Sequence, residues 1–406
     1  MRKSSYLVIC LATTLPLLAF GPKQKGPHSL DTLVVVGDSL SAGFQNFSLY
    51  TTTNGGQTFG FAAVVAQQAG VALTLPTISY PGIPPALTLS AGGIVRQAGL
   101  GSRTNPAQAT DLSVPGFTVG NALAYGFPGN PTVNTIDALS DTILGTPQDR
   151  FVCGPIPTSL ISWLPLPSSV SSLIPPGSPY IVSEAACAVA LQPSTILVSI
   201  GSNDVLQALT LGAPPTTPAV FQTSYHLLME TLALTQANIV VANVPDVTAL
   251  PFVVNSAAFQ KLCGVPLPAG VPYVVPNIAA PTFNICTENI PVTQAQITAI
   301  QGLVAEYDSI IASEVSSLKI RGGSATIVDL NALLKSLSTN GYNLPGIHLT
   351  TAFLGGLFSL DGIHPTNTGY AIMANAFITA INEALKTKIP LANILSVASK
   401  DPLIFP

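Results

Sequence analysis

The chain has 406 residues, enough for a large core in one or two domains. Apolar residues make up 48% and charged residues only 8%, against about 25% charged in typical soluble domains, which excludes intrinsic disorder. The 18 acidic and 14 basic residues give a formal net charge of -4 with no Lys/Arg cluster, which argues against a nucleic-acid partner.

Arg2 and Lys3 precede an apolar run from about Tyr6 to Phe20, and a polar Gly/Pro-containing stretch follows. This reads as a secretory signal peptide over residues 1–21. An uncleaved anchor is the alternative, but the run is short for a bilayer span. Export would place the mature chain in a periplasm, in a cell envelope or outside the cell. After residue 30 the apolar stretches are broken by Gly, Pro or polar residues, so no membrane-spanning helix is expected.

Residues 31–36 form an apolar run ending at Gly37, the pattern of a buried parallel strand. Residues 57–70 carry apolar side chains at helical spacing, and the Pro-rich stretch 75–92 reads as loop. A very short strand, a glycine turn and a helix start are expected over Leu112 to Asn121. The long Pro/Gly/Ser-rich stretch 127–180, which holds the only tryptophan, Trp163, is either a lid or substrate-binding insert or a surface elaboration. A helix is expected over 181–190, a central strand over 195–200 and a loop over 208–219. A helix over 220–237, a strand over 238–244 and a Cys- and Pro-rich insert over 262–291 follow. The longest helix is expected at 293–318, a strand at 325–330 and the last helix at 368–387.

Alternating strands and helices argue for an α/β fold, a parallel sheet covered on both faces. No repeat or clean linker divides it, so a single domain over 30–390 is expected, with inserts at about 127–180 and 262–291 and a C-terminal tail over 391–406. Without the leader four cysteines remain: Cys153, Cys187, Cys263 and Cys286. An even number in an exported chain points to two disulfides. Of three pairings, Cys153–Cys187 with Cys263–Cys286 is preferred, because each staples a Pro-rich loop. No Cys-x-x-Cys spacing is present, so a zinc or redox site is a poor reading.

Ligands of such sheets bind at the carboxyl ends of the strands. Three such places hold polar residues: Gly37-Asp38-Ser39-Leu40-Ser41, Gly201-Ser202-Asn203-Asp204, and Asp361-Gly-Ile-His364-Pro before the last helix. Acyl transfer by a serine needs a hydroxyl, an imidazole base, a carboxylate that orients the base, and donors for the oxyanion. Of the four histidines, His28 is near the mature N-terminus, His226 lies in a helix with a structural role, and His348 is in a loop. His364 alone has an acidic neighbour at a strand-end setting. Asp38 and Asp204 read more simply as caps or partners of loop amides. Asn46-Phe-Ser48 matches a glycosylation acceptor, a signal that counts only in a eukaryotic secretory route.

These blocks resemble those of the GDSL family of lipases and acylhydrolases, the SGNH hydrolases. They stand in the family's order and span Gly37 to Tyr370. The resemblance implies a three-layer α/β/α, flavodoxin-like fold with about five parallel strands. It implies Ser39 as nucleophile, His364 as base and Asp361 as its orienter. It also implies oxyanion donors from Ser39, from the amide of Gly116 in Ser113-Val-Pro-Gly116, and from the Asn203 side chain, with Gly120 a weaker substitute for Gly116. The serine block departs from the Gly-x-Ser-x-Gly elbow of α/β-hydrolases. The activity implied is that of a serine esterase or lipase with no cofactor and no metal. A carbohydrate O-acetylesterase, a lysophospholipase and a non-catalytic binding protein are the alternatives. The expected partners are a small-molecule or lipid ester and, peripherally, a membrane or envelope surface. The chain is expected to be a monomer.

Overall fold

The computed structural model describes residues 30–404, apart from 92, 124, 127–134, 145–155, 158–179 and 281–282. Four Val/Ile-rich segments build the central sheet: β1 (Leu33–Gly37), β2 (Thr195–Ser199), β3 (Asn238–Ala242) and β4 (Ala325–Val328). Every residue of β1, β2 and β3 is buried, as expected of parallel strands covered on both faces. The strands lie in the order β1-β2-β3-β4, all parallel. Gly37 pairs with Ser199, so β1 and β2 end level with each other.

One face is covered by α1 (Phe61–Ala69) and the last long helix, Asn367–Leu385, whose Phe61 and Phe377 rings stack at 4.3 Å. The other face carries α2 (Val119–Leu123), α3 (Glu184–Leu191), α5 (Pro218–Ala233) and α6 (Gln294–Ile320); α4 (Asn203–Thr210) follows β2. The Phe221 and Tyr307 rings stack at 3.9 Å between α5 and α6. A capping box starts α6: Gln296 N–H donates to the Thr293 hydroxyl, and Thr293 N–H donates to the Gln296 side chain. Two further helices lie beyond β4, α7 (Leu330–Asn340) and α8, the Asn367–Leu385 helix.

The sheet has four strands, not the five expected. The segment 110–114 runs beside β1 but makes a single parallel bridge, Val35 with Asp111. Backbone pairing continues as far as Val114 N–H on the Gly37 carbonyl at 3.1 Å, but the buried Glu184 side chain takes the Gly37 amide at 2.8 Å and also accepts Val114 N–H at 3.2 Å. The sequence pattern also passed over α7, whose residues lie between two expected elements. It read 75–92 as loop, whereas Leu87–Ser90 begins a hairpin with Gly93–Arg96.

The Cys-rich insert is a small unit of its own. Helix Ser256–Cys263 and the antiparallel strands Val254–Asn255, Tyr273–Pro276 and Asn289–Val292 enclose Val254, Phe259, Leu267 and Val274, and Cys263–Cys286 closes it. Cys187 is also disulfide-bonded, while Cys153, Trp163 and most of the 127–180 insert lie outside the described residues, as does the leader. Of the expected C-terminal tail, residues 391–404 are described and dock on the domain: Ile394–Ala398 is helical, and buried Asp401 accepts the Thr368 amide and hydroxyl at 2.8 Å each. Among the described residues no helix is long and apolar enough to cross a membrane.

Candidate active site

The turn after β1 packs without slack. A Cβ on Gly37 would lie 2.4 Å from the Ser199 carbonyl and 2.3 Å from the Ser41 hydroxyl, so only glycine lets β1 end against β2. Ala42 N–H donates to the Asp38 carbonyl and Phe44 N–H to that of Ser39, which winds the chain tightly around Ser39. Ser39 is 9% exposed and His364 5%.

The Ser39 hydroxyl lies 2.8 Å from His364 Nε2, and His364 Nδ1 lies 2.9 Å from Asp361 Oδ2. Asp361 is a pure acceptor. Its Oδ1 takes the backbone amides of Ile363 and His364 at 2.8 Å each, and its Oδ2 takes Phe47 N–H at 2.6 Å besides Nδ1. An acceptor at Nδ1 requires the proton on that nitrogen and leaves Nε2 to accept from the Ser39 hydroxyl. Phe44 packs its ring against the imidazole at 4.8 Å between centroids.

Asn203 begins α4 at the end of β2 and shares the cavity wall with Ser39 and His364. One of its Nδ2 protons goes to the Phe117 carbonyl at 2.9 Å, which leaves the other free. That bond ties Asn203 to the turn holding Gly116, which Val114 N–H anchors to the end of β1 through the Gly37 carbonyl. Gly116 has a φ of 90°, a left-handed conformation that glycine takes at no steric cost. Among the described residues, neither the Ser39 nor the Gly116 amide donates to a protein acceptor. Gly120 lies within α2 instead.

The order and placement of these four blocks coincide with a family signature. The family model described as GDSL-like Lipase/Acylhydrolase matches residues 33–377. The chain belongs to this family. Among solved structures this GDSL-family chain is similar to LAE5, an alpha/beta hydrolase enzyme from the metagenome of Lake Arreo, at 12% identity, covering 89% of this chain and 99% of that one, with a TM-score of 0.39. It is similar to a putative GDSL-like lipase from Parabacteroides merdae at 12% identity, 87% and 97% coverage and a TM-score of 0.37. It is also similar to a mutant of Axe2, an acetyl-xylooligosaccharide esterase from Geobacillus, at 12% identity, 88% and 96% coverage and a TM-score of 0.39. No curated protein gave a significant match.

Around the GDSL serine lie buried carboxyls that sequence reasoning weighed only in part. Burial pushes Asp38 up to about 7, against the Leu40 amide and the charge of His364, which lower it. Burial also brings Asp204 and Asp111 to about 7. Asp38 accepts Leu40 N–H at 3.0 Å, and Asp204 accepts Val119 N–H at 2.9 Å at the start of α2, so both bond loop or helix-start amides. Burial likewise raises Glu184 well above the usual carboxylate range, against its two amide bonds. Asp361 differs: burial would raise it, but the His364 charge and its hydrogen bonds hold it below the usual range.

Sequence reasoning missed the clamp beneath Asp361. Asn46 and Phe47 both have positive φ, 53° and 57°, which aims the Phe47 amide at Asp361. Asn46 N–H donates to the Ser359 hydroxyl, and the Asn46 side chain accepts Leu360 N–H and donates to the Tyr50 hydroxyl. The residue that matches a glycosylation acceptor thus braces the loop bearing Asp361. Nothing in a lone Asn-Phe-Ser marks this role, because the partners on that loop, Ser359 and Leu360, lie more than 300 residues away. A separate cleft of about 640 Å³ flanks Asp361, walled by Phe283 and Ile285 of the Cys-rich insert and by Ile94 of the hairpin. His226 pairs with Glu314 on the helical face and His348 lies exposed on a hairpin, while His28 falls outside the described residues. Among the described residues no three His, Cys, Asp or Glu side chains group as metal ligands.

Proposed function

We propose that this chain hydrolyses carboxylic esters through an acyl-enzyme intermediate on Ser39. The observation that carries the reading is the unbroken bond line from the Ser39 hydroxyl through His364 to Asp361, beside two amides without acceptors. Ser39 Oγ attacks the ester carbonyl as its proton passes to His364 Nε2. Asp361 keeps the imidazole oriented and stabilises the imidazolium. The amides of Ser39 and Gly116 and the spare Asn203 proton meet the oxyanion. His364 then protonates the departing alcohol. Water attacks the acyl-enzyme with His364 as base, which releases the acid and restores Ser39. In this reading the segment 110–114, held beside β1, carries Gly116 to the nucleophile.

The leader-like N-terminus and the Cys263–Cys286 disulfide support action outside the cytoplasm. The test is hydrolysis of p-nitrophenyl esters from acetyl to palmitoyl by the wild type and Ser39→Ala. Turnover is expected in the wild type and a loss of at least about 10⁴-fold in the variant. Equal turnover in both proteins overturns the reading.

A further inference from the structure

A cavity opens beside Ser39 and His364 and runs under α7. Four polar side chains line it: Ser39, Asn203 and His364 of the proposed reaction centre, and Ser202 next to Asn203. Every other lining residue is apolar or glycine. The long wall is the stripe Leu330, Leu333, Leu334 and Leu337, one face of α7 at i, i+3, i+4 and i+7. Leu206 and Met373 close the cavity from α4 and α8. The stripe starts at the sheet's carboxyl edge, just past β4, and extends about 10 Å along the helix.

We infer that this cavity holds the acyl chain of the substrate, and that the chain is an unbranched aliphatic one several carbons longer than acetyl. This rests on the ester-hydrolase reading above and specifies its substrate. The argument is chemical. A sugar or peptide entering the cavity would bury hydroxyls or amides against leucines that offer no partner. An acetyl group would stop at Ser39 and leave the leucine stripe uncovered. A hydrocarbon chain bound as an acyl-enzyme needs no polar partner, and it extends from the reaction centre because Ser39 and His364 are themselves part of the wall. Leu337 stands two turns from the start of the stripe and sets how long a chain fits.

Each fully buried methylene is worth about fourfold in kcat/KM. Even partial burial then raises the octanoyl ester over the acetyl ester by at least about 100-fold. The experiment measures kcat/KM for p-nitrophenyl acetate, butyrate, octanoate and dodecanoate with the wild type, Leu337→Trp and Leu337→Ala. The octanoate-to-acetate ratio, which is independent of the fraction of folded enzyme, is expected to fall at least tenfold in Leu337→Trp. In Leu337→Ala the optimum moves to a longer chain. Ser39-dependent turnover with a flat wild-type ratio, or a ratio unchanged by Leu337→Trp, overturns the acyl assignment and leaves the hydrolase reading standing. Calorimetric titration of dodecanoate into Ser39→Ala, with and without Leu337→Trp, decides the cavity independently if no ester is turned over. Saturable binding that the tryptophan abolishes supports it, and no binding overturns it.

Discussion

Replacing Asp361 with asparagine keeps the shape of the side chain, removes its charge and turns one acceptor oxygen into an NH2 donor. Four N–H donors converge on the carboxylate: Phe47, Ile363 and His364 from the backbone, and His364 Nδ1. An asparagine has one oxygen. If it faces the Ile363 and His364 amides, the NH2 group faces Phe47 N–H and Nδ1. The flipped orientation leaves two backbone amides unpaired, so the first prevails. The NH2 then donates to Nδ1 and forces the imidazole proton onto Nε2, where it removes the acceptor for the Ser39 hydroxyl. The loss of kcat expected from the wrong tautomer is about 10⁴-fold. The orphaned Phe47 amide costs about 1–3 kcal/mol of stability, too little to unfold a large domain. Steady-state kcat on p-nitrophenyl butyrate, beside a thermal melt, reads both effects. A kcat within tenfold of the wild type in a folded variant would refute the claim that Asp361 sets the tautomer.

Asn203→Ala removes the bond to the Phe117 carbonyl and, on the proposed mechanism, one oxyanion donor, and kcat is expected to fall about 10²- to 10³-fold. Initial-rate kinetics check this, and a loss under tenfold counts against the role of Asn203. Asp38, Asp111 and Asp204 bind their protons more tightly in the folded state than in the unfolded one, with folded values of about 7. Their contribution is therefore fully present below the unfolded carboxylate range and lost as pH rises from about 4 to 7. Melting temperature is expected to drop by at least about 5 °C between pH 5 and pH 8. Below pH 4 the sign reverses for Asp361, whose lowered value makes its protonation destabilising. A melting temperature that climbs from pH 5 to pH 8 would contradict the assignment.

That Ser39, His364 and Asp361 come together at one edge of the sheet was legible because each sits at a break in a strand-and-helix pattern. Val-Val-Val before Gly37 and Ile-Leu-Val before Gly201 are strong strand signals, and the polar residues after them fall at the carboxyl edge by construction. What supports those residues was not legible. Glu184 at the start of a helix reads as an ordinary complement to the helix dipole. Its role, holding Gly37 and Val114 together, depends on two segments 147 and 70 residues away. The helix α7 was legible in principle, since its four leucines have perfect helical spacing. It was missed because it follows β4 after one residue, without a loop to announce it. The fifth strand was expected from the family pattern, yet the segment makes one bridge to β1 and the Gly37 amide goes to a buried carboxylate instead.

The Ser39–His364 bond joins residues 325 positions apart. A chain emerging from its N-terminus delivers the hydroxyl early and the imidazole nearly last. On the proposed mechanism, until the sheet is complete and the final helix has docked, Ser39 is an ordinary alcohol with no base. Reactivity therefore waits on the finished fold, and a partly synthesised or unfolded chain is chemically inert toward esters. The same separation makes ester turnover a report on the integrity of most of the domain, because any fragment that starts after Ser39 or ends before His364 lacks half of the pair.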